Sequence, residues 1–308
     1  MLYKLSIFKV LILTIISLFS INSFGQQDPQ YTHYMYNTLS VNPAYAGQRE
    51  TLSIVGLHRS QWVGFDGAPR TQSLSIHSPL RNENIGLGLN IVNDALGPAN
   101  ETFVDANFSY SVRLNENNTK LSFGAKVGWH NLSTDWSKGR FQSPDAVFQQ
   151  NINQHSLIIG GGLYLSDRDW YVGVSAPNLL TTSHYDDFQE SVATERLHYF
   201  ITGGYVFNLS ETTKLKPAFL VKAVSGAPII ADISANALFN DRFTLGLAWR
   251  WDDSIAGLAG IQLNNGIFIG YGYDLTTSDL NNYNSGTHEI ILRFEVQKIG
   301  KVLSPRFF

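Results

Sequence analysis

The fold class this sequence predicts is all-β: a 14-stranded antiparallel transmembrane β-barrel, within a range of 12 to 16 strands, with short periplasmic turns and long extracellular loops. Three observations carry that reading. The first is alternation at period two, segment after segment. Leu121, Phe123, Ala125, Val127 and Trp129 interleave with Ser122, Gly124, Lys126, Gly128 and His130, which puts one apolar and one polar face on a strand. The second is an asymmetry of the connections. Gaps after odd-numbered segments average about 11 residues and gaps after even-numbered ones about 3, so one end has tight turns and the other long loops. The third is where charge sits. Arg59, Asp105, Arg113, Lys126, Lys216, Lys222, Asp232, Arg242, Arg250, Glu289, Arg293 and Glu295 all fall on the less apolar parity of their own segments. A charge facing lipid at mid-bilayer costs about 2–4 kcal/mol, so the charged parity is assigned to the lumen and the other to lipid.

The elements follow in order. Residues 1–25 read as a secretory signal peptide: Lys4 and Lys9 open it, Val10 to Phe19 is apolar, and Ser23 and Gly25 are the small residues before the cleavage point. That apolar stretch is short for a span of about 20 residues. Residues 26–50 form a periplasmic N-terminal segment. Strands are placed at 51–62, 70–80, 85–93, 102–114, 120–130, 155–165, 169–176, 196–209, 213–223, 229–239, 242–251, 254–263, 267–274 and 287–297, together an outer-membrane β-barrel over 51–297. Residues 298–308 are a periplasmic C-terminal tail, since an even strand count brings both ends to the short-turn side. Trp62, Trp129, Trp170, Tyr205, Trp251 and Tyr273 lie near strand ends, where interfacial aromatic girdles sit.

Composition excludes other classes. Charged residues are 15% of the 308, against roughly 25% in soluble proteins, while aromatics reach 13% and there are 26 glycines. Such a chain is too apolar for disorder, and a mean hydropathy of −0.08 is too polar for a bundle of membrane helices. With 22 basic and 25 acidic residues it is not built to coat nucleic acid. The absence of cysteine removes thiolate metal sites, cysteine nucleophiles and disulfides. Gly86-Leu87-Gly88, Gly160-Gly161-Gly162 and Gly270-Tyr271-Gly272 lie inside alternating strands with no helix following, so they relieve crowding rather than cradle phosphate. Ser75 and His77 share the inward face, where a lipase pair would be useless. The reading is therefore of a non-enzymatic protein with no cofactor and no metal.

The segment Gln30-Tyr31-Thr32-His33-Tyr34-Met35-Tyr36-Asn37, followed by Val41-Asn42-Pro43-Ala44-Tyr45-Ala46-Gly47, resembles the opening signature of the PorP/SprF family of outer-membrane proteins. The likeness continues through Arg59-Ser60-Gln61-Trp62-Val63-Gly64-Phe65-Asp66-Gly67-Ala68-Pro69, and returns in Ser285-Gly286-Thr287-His288-Glu289 and Ser304-Pro305-Arg306-Phe307-Phe308. The stretch 131–195 departs most from it. The resemblance implies an outer-membrane component of the type IX secretion system, associated with gliding motility and other cell-surface proteins. It implies as partners a secreted surface protein bearing a C-terminal sorting domain and a periplasmic lipoprotein ring, besides outer-membrane lipid. Its role would be to support secretion and surface retention of adhesin-type cargo.

Three groups of residues are singled out. Tyr31, Asn42, Pro43, Tyr45, Gly47, Arg306, Phe307 and Phe308 form a family motif with a possible periplasmic docking role; the alternative is a turn that folds the segment against the barrel base. Arg59, Gln61, Trp62 and Phe65 mark the first hairpin, as girdle packing or as a cargo contact. Asp105, Arg113, Lys126, Lys222, Asp232, Arg250, Glu289, Arg293 and Glu295 are expected as a lumen charge network that pairs across the interior. Two other functions stay open: a channel for hydrophobic or small polar solutes, and a structural envelope tether.

Overall fold

The computed structural model describes residues 30–116, 119–139, 151–180, 197–224, 227–263 and 266–296, over which 14 antiparallel strands close into a barrel. Outside the described residues lie the expected signal peptide 1–25, the tail 298–308 with Arg306, Phe307 and Phe308, and much of the loops near 131–154 and 177–195. The strands are β1 (Ser53–Ser60), β2 (Arg70–Pro79), β3 (Ile85–Leu96), β4 (Ala99–Arg113), β5 (Lys120–Thr134), β6 (Ile152–Ser166) and β7 (Trp170–Ala176). They continue as β8 (His198–Tyr205, resumed at Phe207–Asn208), β9 (Thr213–Val224), β10 (Ile230–Phe239), β11 (Phe243–Arg250), β12 (Ser254–Gln262), β13 (Ile267–Thr276) and β14 (Thr287–Glu295). Each pairs with its sequence neighbours, and β1 closes on β14 from Ser53 opposite Glu295 to Ser60 opposite His288.

Several details have local causes. β8 is interrupted at Val206 although its register on β9 is unbroken, with Ala218 opposite Gly204 and Leu215 opposite Phe207. Pro217 sits between those pairs without an N–H to give, and Val206 N–H turns to the Asp169 carbonyl at 2.6 Å. At the other end of the barrel, the gap expected after β3 is no loop. β3 and β4 extend to Leu96 opposite Ala99 around Gly97 and Pro98, because a Gly-Pro pair closes a tight hairpin. β5 and β6 likewise extend to Thr134 opposite Ile152. Among the short turns, Asn240 and Asp241 both take positive φ (52° and 49°), the two-residue hairpin geometry that suits Asn and Asp. Asp167 in the β6–β7 turn accepts from Thr119 Oγ1 at 2.5 Å and from Arg168 N–H at 2.7 Å, and these bonds hold its carboxyl below the usual range.

The outer wall is the apolar parity: Leu245, Leu247, Ile255, Ile269, Ile290 and Leu292 all stand exposed, Leu247 by 69%. No described helix is long and apolar enough to cross a membrane, and the strands present the band instead. On β1 to β6 the band ends at a polar row. His58, Gln72, Asn93, Thr102, Asn131 and His155 lie opposite one another in register on successive strands. Above it the extended hairpins project at the long-loop end.

The lumen is full. Residues 30–50 run inside the barrel, where sequence reading had placed 26–50 in the periplasm. Gln30 bonds Asp232 and Thr32 bonds Asp274 at the long-loop end, whereas Gly47, Arg49 and Glu50 meet His77, Glu295 and Lys120 at the short-turn end. The segment therefore descends roughly the 20 Å that separate Glu289 from Glu295 along β14. The first described residue lies at the opposite end of the barrel from the start of β1. Burial explains this placement: Tyr31, Tyr34, Met35, Tyr36 and Val41 pack in one cluster with the inward-facing Val55, Leu57, Phe200, Leu220, Phe268 and Ile291, removing apolar surface from water on both sides.

Candidate functional site

The candidate site is this internal segment, the charges that hold it, and the rim at each end. From Asn37 to Gly47 the chain is two short 3-10 turns, Thr38–Ser40 and Pro43–Tyr45. Asn42 caps the second, its Oδ1 accepting from Ala44 N–H at 2.9 Å, with Pro43 in the first position where no N–H is missed. Asn42 Nδ2 also donates to the Leu163 carbonyl at 3.0 Å, so the cap is tied to the wall. Tyr45 meets Tyr164 and His77 edge-on, and Gly47, at φ 75°, donates its N–H to His77 Nδ1 at 3.1 Å. Tyr31 is 4% exposed.

The wall makes room where this segment touches it. A Cβ on Gly86 would lie 2.1 Å from the Ala46 carbonyl, one on Gly124 2.1 Å from Ala44 N, and one on Gly162 2.3 Å from Asn42 Oδ1. The in-strand glycine strings are thus partly a seat for Asn42–Ala46.

Charge fastens both ends. At the long-loop end Glu289, fully buried, accepts from Thr32 N–H (3.0 Å), His33 N–H (2.7 Å) and Arg59 (3.1 Å), and its Oε1 lies 2.6 Å from His33 Nδ1. Arg59 also donates to Asp274 at 2.9 Å. At the short-turn end Arg49 donates to Glu295 at 2.8 Å, and the Arg293 guanidinium lies 5.0 Å from the Phe268 ring centre. Midway along the lumen Asp105 pairs with Lys126 (3.3 Å), and toward the long-loop end Asp232 pairs with Arg250 (2.7 Å) while Lys222 lies over the Phe200 ring. Two expected members are not in this interior. Arg113 and Arg242 are exposed at the short-turn rim, because β4 reaches past the lumen there and Arg242 belongs to a turn. Residues missed include Asp274, whose inward parity with Phe268, Gly270 and Gly272 was readable, and His33, Arg49 and Glu50, outside any strand.

The first-hairpin residues diverge. Arg59 points into the lumen. Gln61 N–H donates to the Pro69 carbonyl at 3.0 Å, closing the loop. Trp62 takes φ 46°, rare for so large a side chain, and its N–H donates to Thr287 Oγ1 at 3.1 Å while Val63 N–H reaches the Gly286 carbonyl. Phe65 is 47% exposed. The loop roofs an outer-wall groove of about 540 Å3 lined in part by His58, Trp62, Phe65 and Arg70. A second cavity, of about 80 Å3, lies inside near the long-loop end between Tyr31, Val92, Phe103, Ile158 and Phe200, beside the Asp105–Lys126 pair. Among the described residues no cluster of His, Asp and Glu is arranged to hold a metal.

A closed barrel with an apolar outer band, charges confined to its interior and rims, and hairpins projecting at one end defines an outer-membrane β-barrel protein. The chain belongs to the PorP/SprF family of type IX secretion system membrane proteins, which it matches over residues 23–294. Similar solved structures are Acinetobacter baumannii outer membrane protein Omp33 (8% identity, 81% of this chain and 99% of that one, TM-score 0.44) and the KdgM porin (10%, 80% and 99%, 0.37). The translocator domain of autotransporter NalP from Neisseria meningitidis is similar too (13%, 80% and 88%, 0.36). No individually curated protein matches.

Proposed function

We propose that this outer-membrane component of the type IX secretion system supports secretion and surface retention of adhesin-type cargo, holding the cargo's C-terminal sorting domain at the long-loop end. Its short-turn end would meet the periplasmic lipoprotein ring, after signal-peptide cleavage and export. The observation that carries the reading is the filled lumen. Residues 30–50 hydrogen-bond to strands all round the wall and bury an apolar cluster, which leaves the two ends and the outer wall as working surfaces. A solute channel needs a path through that space, so the packing favours contact over passage. The test is deletion of the gene together with affinity purification from the outer membrane. Loss of specific surface proteins, and their recovery with the tagged protein, is expected. Intact surface proteins with defective solute uptake would instead establish the channel.

A further inference from the structure

The loop between β1 and β2 and the wall beneath it enclose the groove on the lipid side of the barrel. Its floor is the outward face of three strands, with His58 and Ser60 on β1, Arg70 and Gln72 on β2, and Ala95 on β3. Its roof is the stretch from Trp62 to Ala68. That roof is fixed on both sides. Val63 donates its N–H to the Gly286 carbonyl at 2.8 Å and accepts from Ser285 N–H at 2.7 Å, and the Gly67 carbonyl accepts from Gly97 N–H at 2.9 Å. The chain is described without a break over 30–116 and 266–296, so the floor, the roof and the strands flanking them are complete. A volume of about 540 Å3 is that of a pocket for a small organic group.

Three features identify what fits there. The first is height. From Pro79 to Arg70, β2 climbs about 23 Å at its usual rise and tilt, against an apolar band of about 25 Å. Arg70 therefore stands where acyl chains give way to head groups, on the long-loop side. The second is charge. Arg70 is exposed on the outward face and forms no ion pair among the described residues. A cation at the lipid boundary is stabilised by an anion beside it, and the guanidinium fork matches a phosphate. The third is a shortened apolar face. On β5 the outward residues are apolar from Leu121 to Trp129, whereas on β2 only Leu74 and Ile76 separate Gln72 from Ser78. A short apolar stretch draws the adjoining leaflet down toward the wall's polar groups.

The roof narrows the class further. Val63 and Phe65 are 38% and 47% exposed, apolar surface set over a polar floor, so the occupant is amphiphilic. Asp66, the acid among the lining residues, accepts hydroxyl hydrogens and disfavours a bare anion, which points to a head group with sugar hydroxyls beside its phosphate. The long-loop side of an outer-membrane barrel meets the leaflet built of such lipids. We propose that the groove binds a phosphorylated glycolipid of the outer leaflet. Its phosphate lies on Arg70, its hydroxyls on Asp66, His58 and Gln72, and its acyl chains run down past Leu74 and Ile76. The site goes beyond the secretion role and does not depend on it.

The test uses the full-length barrel in non-ionic detergent, shown folded by heat-modifiable gel mobility, with lipid A as the probe and native mass spectrometry as the readout. The wild type is expected to take a single lipid A at saturation. Arg70→Gln should bind it about tenfold more weakly, while Arg113→Gln, the same charge change at the short-turn rim, should match the wild type. Lipid A stripped of its phosphates should bind the wild type about tenfold more weakly and no longer distinguish it from Arg70→Gln. Equal binding of intact lipid A by Arg70→Gln and the wild type would overturn the site. Phosphatidylglycerol bound as tightly as lipid A would overturn the glycolipid, and displacement of lipid A by an equal concentration of inorganic phosphate would overturn the lipid. The secretion role is read by none of these measurements and stands or falls separately.

Discussion

Glu289 Oε1 lies 2.6 Å from His33 Nδ1, joining the last strand of the barrel to a segment 256 residues earlier. The carboxylate is enclosed, with Arg59 and two backbone N–H groups completing its partners. It makes the closure of the β-sheet and the filling of the lumen one event, because Arg59 on β1 and Glu289 on β14 are also register partners.

Glu289→Ala should therefore destabilise the barrel strongly. Removing one member of a buried, hydrogen-bonded pair costs about 3–5 kcal/mol when the other charge is left behind. Urea titration of the folded gel band in detergent measures it, and a midpoint equal to the wild type would show that the network carries no stability.

The direction of the internal segment predicts a labelling pattern. The chain has no cysteine, so single substitutions report cleanly. Gln30→Cys should react with a membrane-impermeant maleimide in intact cells, and Ser210→Cys in the β8–β9 turn only after the outer membrane is permeabilised. The reverse pattern would invert the orientation.

Gly124→Val places side-chain atoms against the backbone of Ala44, beyond the 2.1 Å that a Cβ alone would leave. Overpacking of this kind costs about 1–3 kcal/mol. The prediction is a loosened internal segment, read as steady conductance in planar bilayers where the wild type is silent. Equal conductance of the two proteins would mean that residues 30–50 do not seal the lumen.

Charge on the two outer positions should separate cleanly. Leu247→Arg, on the lipid-facing wall, is expected to cost about 2–4 kcal/mol if the position lies at mid-bilayer. Arg113→Ala, at the exposed short-turn rim, should stay within about 0.5 kcal/mol of the wild type. Folding titrations in lipid vesicles measure both, and a large loss for Arg113→Ala would return that residue to the interior network.

Much of the wall was legible because strand pairing writes itself locally. Every strand expected from alternation is present, and ends shift where pairing with a neighbour extends or trims a segment, as at Leu96 and Thr134. The interior pairs were legible only as a parity: Asp232 and Arg250 share a lumen face by alternation, but that they touch follows from register. Arg113 obeyed the parity and still missed the lumen, since alternation carries no information on height along the barrel axis.

The sequence by itself determined the barrel, its lipid-facing parity and the inequality of its two ends, because each depends on residues one or two positions apart and on the cost of charge in lipid. Only the tertiary structure decided what fills the barrel. Residues 30–50 have no period to read. Their tyrosines, Met35 and Arg49 find partners on strands far away in the chain, and the glycines that seat them become intelligible once both surfaces are in place.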